Sequence, residues 1–164
     1  MLRLAMQMAG AAALCAAATA AHAQAYGAPI TLDQAKKVMA AAEAEAKKNN
    51  WSMTIVILDS GCNPVMMQKG DGAQIAAPQV AHDKAYTACA YKRPTKALQD
   101  ALAKGAADWR YLTFPRMIAA DGGHPIVVDG KIIGAIGASG SAGPDDSRVA
   151  LAGLEALKQP PSRG

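Results

Sequence analysis

The chain is poor in aromatic residues and lacks any long run of charge. Its 164 residues include one phenylalanine, two tryptophans and four tyrosines. Lysine and arginine outnumber aspartate and glutamate by 17 to 13, but no basic run is longer than two residues. Proteins that bind nucleic acids present aromatic platforms to the bases or a dense basic surface to the backbone. We therefore predict no nucleic-acid partner.

Beyond residue 23 the sequence also lacks an apolar run of membrane-spanning length. Residues 1–23 combine Arg3, an alanine- and leucine-rich stretch and the small-x-small sequence Ala21-His22-Ala23, which is typical of a signal peptide. We predict export to the periplasm or the medium, cleavage before Gln24 and no membrane association afterwards. Retention through an uncleaved anchor is the alternative.

The spacings that mark a structural zinc site or a serine nucleophile are missing. His82 and His124 lie far apart, and Cys62 and Cys89 form no CxxC pair. The sequence Gly137-Ala138-Ser139-Gly140 has the wrong spacing for a nucleophile elbow. We therefore favour a binding protein over an enzyme. The two cysteines either pair as a disulfide in an oxidising compartment or remain separate buried thiols.

What the sequence does contain is periodicity for helices and strands. Helices are predicted to begin at the cap Thr31, at Pro78, at Thr95 and at about Asp145. Strands are predicted at residues 53–58 and 65–68 and on both sides of Asp129-Gly130. Residues 106–121 read as irregular. This order predicts an α+β domain with an antiparallel sheet covered by helices. A flexible leader, residues 24–30, precedes it, and a polar tail, residues 159–164, follows.

Residues 122–146 are the most distinctive segment of the chain. Glycines interrupt strand-forming residues there, at positions 122, 123, 130, 134, 137 and 140. Glycine inside a strand usually marks a bulge, a positive-φ turn or a close backbone approach. The loop over residues 137–143 can cradle an anion at a helix start. Asp145 and Asp146 favour a capped helix entry instead, since they place negative charge where the anion would lie.

Several motifs in order resemble the GlcG/HbpS-like family. They are GGHPI at 122–126, DG at 129–130, IGAIGASG at 133–140 and Asp146, preceded by LDxG at 58–61, GDGA at 70–73 and KAxTA at 84–88. The resemblance covers residues 31–158 and implies a profilin-like α/β/α fold with a five-stranded antiparallel sheet. The family includes secreted haem-binding proteins, the C-terminal domain of PduO-type cobalamin adenosyltransferases, and proteins encoded beside glycolate-oxidation genes. Its members form oligomers, so we expect a dimer or a multiple of dimers.

The resemblance directs attention to residues that can hold haem. Haem-binding relatives can use a histidine near the start of the domain, but residues 24–50 contain none. His82 shares a helix stripe with Tyr86, so His82 is a candidate iron ligand, with Tyr86 beside it. His124, between a glycine and a proline, is the second candidate iron ligand. Their alternative interpretations are a helix histidine without a task and a turn histidine bonded to the backbone.

Arg110 and Arg116 flank Tyr111 and Phe114 in the sequence. Arginine pairs with carboxylates and aromatic rings stack on flat ligands, so this cluster can receive haem propionates and macrocycle. A subunit interface favours the same composition. Haem or tetrapyrrole binding is thus the first hypothesis for function. A binding module for a hydroxy- or oxo-acid is the second, and a cofactor-free enzyme with His124 as general acid or base is the third.

Overall fold

A computed structural model describes residues 24–158 and shows one antiparallel sheet between two layers of helices. The strands are β1 (Thr54–Asp59), β2 (Pro64–Lys69), β3 (Gly123–Val128) and β4 (Lys131–Ser139). The helices are α1 (Leu32–Lys48), α2 (Ala77–Ala90), α3 (Thr95–Ala103) and α4 (Gly143–Glu155), with a 3-10 helix at Ala106–Thr113. The predicted mixture of helices and an antiparallel sheet is confirmed. The predicted signal peptide and tail lie outside the described residues.

The expectation of five strands is wrong: in the described residues the sheet has four, in the order β2-β1-β4-β3. Residues 24–30, expected as a flexible leader, run beside the start of β4. The N–H groups of Gly27 and Ile30 donate to the carbonyls of Ile132 and Ile133, both at 2.8 Å. This contact stays a single parallel bridge because β1 occupies the same side of β4 from Gly134 onwards.

Helix α1 begins where the sequence predicts. Thr31 accepts the N–H of Gln34 at 3.2 Å, and the Gln34 side chain accepts the N–H of Thr31 at 2.9 Å, forming a capping box. The buried residues of the helix recur at helical spacing and face the sheet, namely Ala35, Val38, Met39, Ala42 and Ala46. None of the helices within residues 24–158 is long and apolar enough to cross a membrane.

The two faces of the sheet carry different side chains. Ile55, Ile57 and Ile136 pack in the core with α1 and α4, whereas Val56 and Leu58 pack against α2 on the other face. The contact between α2 and the sheet is made largely by alanine and glycine residues. They include Ala81, Ala85, Ala88, Ala135 and Gly137. The alanine stripe predicted for this helix is confirmed, and α2 lies close to the sheet.

Two cross-links fix α2. Cys62 and Cys89 form a disulfide that joins the turn after β1 to the end of α2, which decides between the two alternatives for the cysteines. Lys84 donates to the Asp146 carboxylate at 2.6 Å and to the Ala138 carbonyl at 3.1 Å, and both side chains of this ion pair are buried. The pair connects helices on opposite faces of the sheet past the end of β4.

Candidate functional site

Three of the sequence candidates meet on the flank of α2. Arg116 lies with its guanidinium carbon 3.8 Å from the centre of the Tyr86 ring. Its Nη2 lies 3.3 Å from Nδ1 of His82 and 3.8 Å from an oxygen of Asp83. We call His82, Asp83, Tyr86 and Arg116 the α2 cluster.

The backbone around Arg116 is held from α2. Arg116 has a φ of 55°, in the left-handed region that residues other than glycine rarely adopt. The Thr87 hydroxyl accepts the N–H of Ile118 at 2.9 Å and donates to the Arg116 carbonyl at 3.4 Å. Buried Thr87 therefore positions the arginine over the cluster. This explains the Lys84-Ala85-x-Thr87 motif structurally, because Lys84 and Thr87 each fasten α2 to a distant segment.

The two nitrogens of the His82 ring differ. Nδ1 faces Arg116 and lies 3.5 Å from Asp83, whose other oxygen accepts the Gln79 amide at 2.9 Å. A guanidinium can only donate and a carboxylate can only accept, so the partner that Nδ1 bonds decides the tautomer. With Nδ1 donating to Asp83, Nε2 carries a free lone pair; with Nδ1 accepting from Arg116, Nε2 carries the proton. Nε2 has no hydrogen-bond partner in the described chain, and it is not among the atoms sealed from solvent without one. Nε2 is thus open to an incoming ligand.

Aromatic residues continue this surface beyond Arg116. Phe114 stacks on Tyr91 with ring centres 5.9 Å apart and meets Tyr111 edge-on at 5.6 Å. The Tyr91 hydroxyl donates to the carbonyl of Pro115, the residue before Arg116, at 3.0 Å. Arg110 lies 5.2 Å from the Tyr111 ring centre and 3.6 Å from Asp108; in residues 24–158 its contacts do not reach the α2 cluster.

His124 lies elsewhere, on β3. Its Nε2 is 2.7 Å from the hydroxyl of Ser147 on α4, and only 8% of the residue is exposed. Burial lowers the pKa of His124 below its ordinary value, and the nearby Asp121 carboxylate opposes this shift. Burial therefore favours the neutral imidazole. His124 does not join His82, so the structure separates the two candidate iron ligands into two sites.

A cleft of about 560 Å³ runs along β3 beside His124. We call it the β3 cleft; its walls include Lys92, Pro94, His124, Val127, Leu154 and Leu157. It lies at the sheet edge, since β3 is the last strand in the sheet order. The volume is within the range of small-molecule sites, roughly 300–1,000 Å³.

The glycine-rich loop before α4 is held by two carboxylates of the first turn of that helix. Asp146 accepts the N–H of Ser141 at 3.0 Å, and Asp145 accepts the Ser141 hydroxyl at 2.7 Å. Burial raises the pKa of Asp146, while Lys84 and the Ser141 N–H favour its charged form. These carboxylates accept the donors of Ser141 and place negative charge where an anion would lie. The N-cap residue of α4 is Ala142, which offers no side-chain cap, so the expected capped helix entry is not confirmed.

Sequence reasoning missed Asp83, Ser147 and Lys92 as members of sites. Asp83 carries a weak local signal, because Gln79 stands four residues before it and holds it on the helix surface. Ser147 and Lys92 meet the β3 region only through the tertiary fold, so no spacing reveals them. In residues 24–158 no cluster of three or more histidine, cysteine, aspartate or glutamate residues can hold a bare metal ion.

The antiparallel sheet between two helical layers defines the chain as a small α/β/α domain. The chain belongs to the HbpS-like family, whose model, described as haem degrading protein HbpS-like, matches residues 30–155. The resemblance stated from the motifs is confirmed.

Known relatives agree with this assignment. Protein GlcG of Escherichia coli K12 is 35% identical over 110 residues, which cover 67% of this chain and 81% of GlcG. The crystal structure of a Streptomyces reticuli HbpS double mutant is 30% identical with a TM-score of 0.73, covering 80% of this chain and 88% of that one. The crystal structure of a PduOC–haem complex has a TM-score of 0.73 at 24% identity, covering 78% and 94%, and shares the fold.

Proposed function

We propose that the protein binds haem or a closely related metallated tetrapyrrole at the α2 cluster, where Nε2 of His82 would hold the iron. The family description, which names haem, supports the ligand class. The observation that carries the proposal is Arg116, whose guanidinium contacts both the His82 imidazole and the Tyr86 ring. An imidazole can bind haem iron, a flat aromatic surface can pack on the macrocycle, and a cation can pair with a propionate.

The residues present fit such a group. Histidines that bind a metal through one nitrogen usually donate the other N–H to a carboxylate, a backbone carbonyl or water, and Asp83 lies 3.5 Å from Nδ1 of His82. Arg116 is 52% exposed at its side chain and can turn outward to a propionate. Once Arg116 leaves Nδ1, that nitrogen can carry the proton toward Asp83. Nε2 then presents its lone pair.

The surrounding surface supplies the flat contact. Phe114 and Tyr91 lie next to the Arg116 backbone, and Trp109 and Leu112 of the 3-10 helix are exposed. Aromatic and apolar faces of this kind pack on planar ligands. Haem brings redox-active iron when it is bound; the chain contributes the ligand, the charge partner and the packing surface.

We further propose that the protein is exported and works in the periplasm or the medium as a homo-oligomer. The Cys62–Cys89 disulfide supports export, because disulfides persist in oxidising compartments. Exposed Met67 on the edge strand β2 and exposed Ile75 before α2 support self-association. A role in haem or iron handling belongs to the same proposal.

The test is a haemin titration of the purified protein followed by visible absorption. We expect a saturable, shifted Soret band whose position changes in His82→Ala, because the axial nitrogen is lost. Arg116→Gln should weaken binding roughly tenfold, the loss expected for one charge-assisted contact, without moving the band.

His124→Gln is the matched control, since it replaces the other candidate ligand in the separate β3 cleft. It should titrate like the parent protein. Circular dichroism must show that all three variants are folded. An unchanged spectrum in His82→Ala would refute the assigned ligand, and a titration that never saturates would refute haem binding.

A further inference from the structure

The β3 cleft is lined by a histidine with one ring nitrogen that has no partner in residues 24–158. His124 uses Nε2 for Ser147, and its Nδ1 has no hydrogen-bond partner in the described chain. Nδ1 is not among the buried atoms sealed from solvent, and His124 lines the cleft. A histidine that is 8% exposed thus presents one open nitrogen to the cleft. A solvent-accessible ring nitrogen of this kind can bond to water or to a ligand in the cleft.

The edge of β3 is closed to another strand. The Thr95 hydroxyl accepts the N–H of Gly123 at 3.0 Å and donates to its carbonyl at 3.5 Å. Pro125, two residues along the same edge, has no N–H to offer. Strand addition needs a row of free backbone donors and acceptors. The cleft therefore suits a small molecule better than an extended peptide.

Two lysines line the cleft, and they differ in whether a carboxylate pairs with them. Lys158 donates to Glu155 at 2.7 Å. Lys92 lies 4.3 Å from the centre of the Tyr26 ring, and among residues 24–158 no carboxylate pairs with it. Asp129, in the turn after β3, is the acidic residue of the lining. The Lys92 ammonium, which contacts an aromatic ring but no carboxylate within residues 24–158, matches a single negative charge on a ligand.

The remaining walls are apolar. Pro94 stands on one side of β3 and Leu154 and Leu157 of the α4 end on the other, with Val127 exposed between them. A neutral imidazole in the lining favours an uncharged hydrogen-bonding group over a second anion. The walls favour a short hydrocarbon body.

We propose that the β3 cleft binds an amphipathic monocarboxylate, with its carboxylate at Lys92, an adjacent hydroxyl or oxo group at Nδ1 of His124, and its hydrocarbon part against Leu154 and Leu157. Ser147 positions the imidazole and does not touch the ligand. This site is separate from the α2 cluster, so the proposal can be tested independently of haem binding.

The test is calorimetric titration of the purified protein with 2-hydroxyhexanoate and three probes that each lack one feature. Glycolate lacks the hydrocarbon body, hexanoate lacks the hydroxyl, and 2-hydroxyhexanamide lacks the charge. We expect 2-hydroxyhexanoate to bind and each of the other three to bind at least about fivefold more weakly, because each loses one contact. Equal affinity for all four, or no heat with any of them, would overturn the proposal.

Two variants locate the site. Lys92→Asn removes the charge and suits the positive φ of 54° at this position, and Val127→Trp fills the mouth of the cleft from an exposed position. We expect roughly tenfold weaker binding in the first and none in the second. Lys104→Asn, which changes a lysine outside the cleft, is the control. His82→Ala should bind the acid normally. Lys92→Asn and Lys104→Asn with the same affinity would refute the assigned cation.

Discussion

At Gly137 the separation between the sheet and α2 depends on the absence of a side chain. A Cβ atom built there would stand 2.6 Å from the Ala85 backbone nitrogen and still closer to the Ala81 carbonyl oxygen. Real Cβ atoms do not approach backbone that closely, and backbone inside a helix cannot move aside alone. Gly130 differs: it has a φ of 72° in the β3–β4 turn, and a Cβ there would meet open space.

These two glycines give a matched pair of substitutions. We expect Gly137→Ala to lower the free energy of unfolding by about 3 kcal/mol or more, because the helix must move off the sheet. Gly130→Ala should cost only about 1 kcal/mol, the strain of a left-handed alanine. Urea unfolding of both variants measures the difference. Equal losses would refute the close approach of α2 as the reason for glycine at 137.

The same residues show how far the sequence can be read. Glycine at 137 is recognisable as unusual, because a strand gains nothing from it. Its neighbour in space, Ala81, lies in another element and carries no mark of the contact. His82 and Tyr86 could be paired from helical spacing alone, whereas Arg116 joins them only through the tertiary fold.

Helix α2 meets α4 through one buried ion pair, Lys84 with Asp146. Each charge is compensated mainly by the other, with help from the Ala138 carbonyl and the Ser141 N–H. A buried pair of this kind contributes little net stability compared with apolar residues, but losing one partner leaves an isolated buried charge. The pair therefore fixes how the two helices meet at the end of β4.

Removing one partner should be worse than removing both charges. We expect Lys84→Met to lower the free energy of unfolding by about 3–5 kcal/mol. Lys84→Met combined with Asp146→Asn should recover part of that loss, because asparagine still accepts the Ser141 N–H and carries no charge. Lys96→Met, at the exposed pair with Asp100, is the control and should leave stability essentially unchanged. Thermal unfolding of the three variants decides, and a double variant no more stable than Lys84→Met would contradict the argument.

Elements with strong local signals were predictable, and those made by tertiary contact were not. The start of α1 follows from Thr31 and the β3–β4 turn from Asp129-Gly130, since capping and turn chemistry act within a few residues. The 3-10 helix at Ala106–Thr113 was read as irregular, because no apolar periodicity marks it. The run of residues 25–30 beside β4 was missed, since its partners lie about a hundred residues away.

At the scale of the whole molecule, the described residues form one sheet in the order β2-β1-β4-β3, and the Cys62–Cys89 disulfide ties helix α2 to it. The family resemblance predicted the layered fold correctly but not the number of strands. Only the structure shows that β1 pairs with β4 as far as Gly134 and that the described sheet has four strands. Sequence also left the cysteines undecided, because pairing depends on where α2 lies relative to the β1–β2 turn. The bridge between Cys62 and Cys89 ties that turn to the helix that carries the α2 cluster.

The disulfide should therefore stabilise the fold without contributing to ligand recognition. Its cysteines are separated by 27 positions. Closing a loop of that length lowers the entropy of the unfolded chain, which stabilises the folded state by about 3.5 kcal/mol at 25 °C. We expect the parent protein to lose about that much unfolding free energy when a reductant is added. Cys62→Ala combined with Cys89→Ala should be less stable by a similar amount and insensitive to reductant. Urea unfolding of both proteins, with and without reductant, measures these effects, and a reductant effect of equal size in the two would place its action outside this bond.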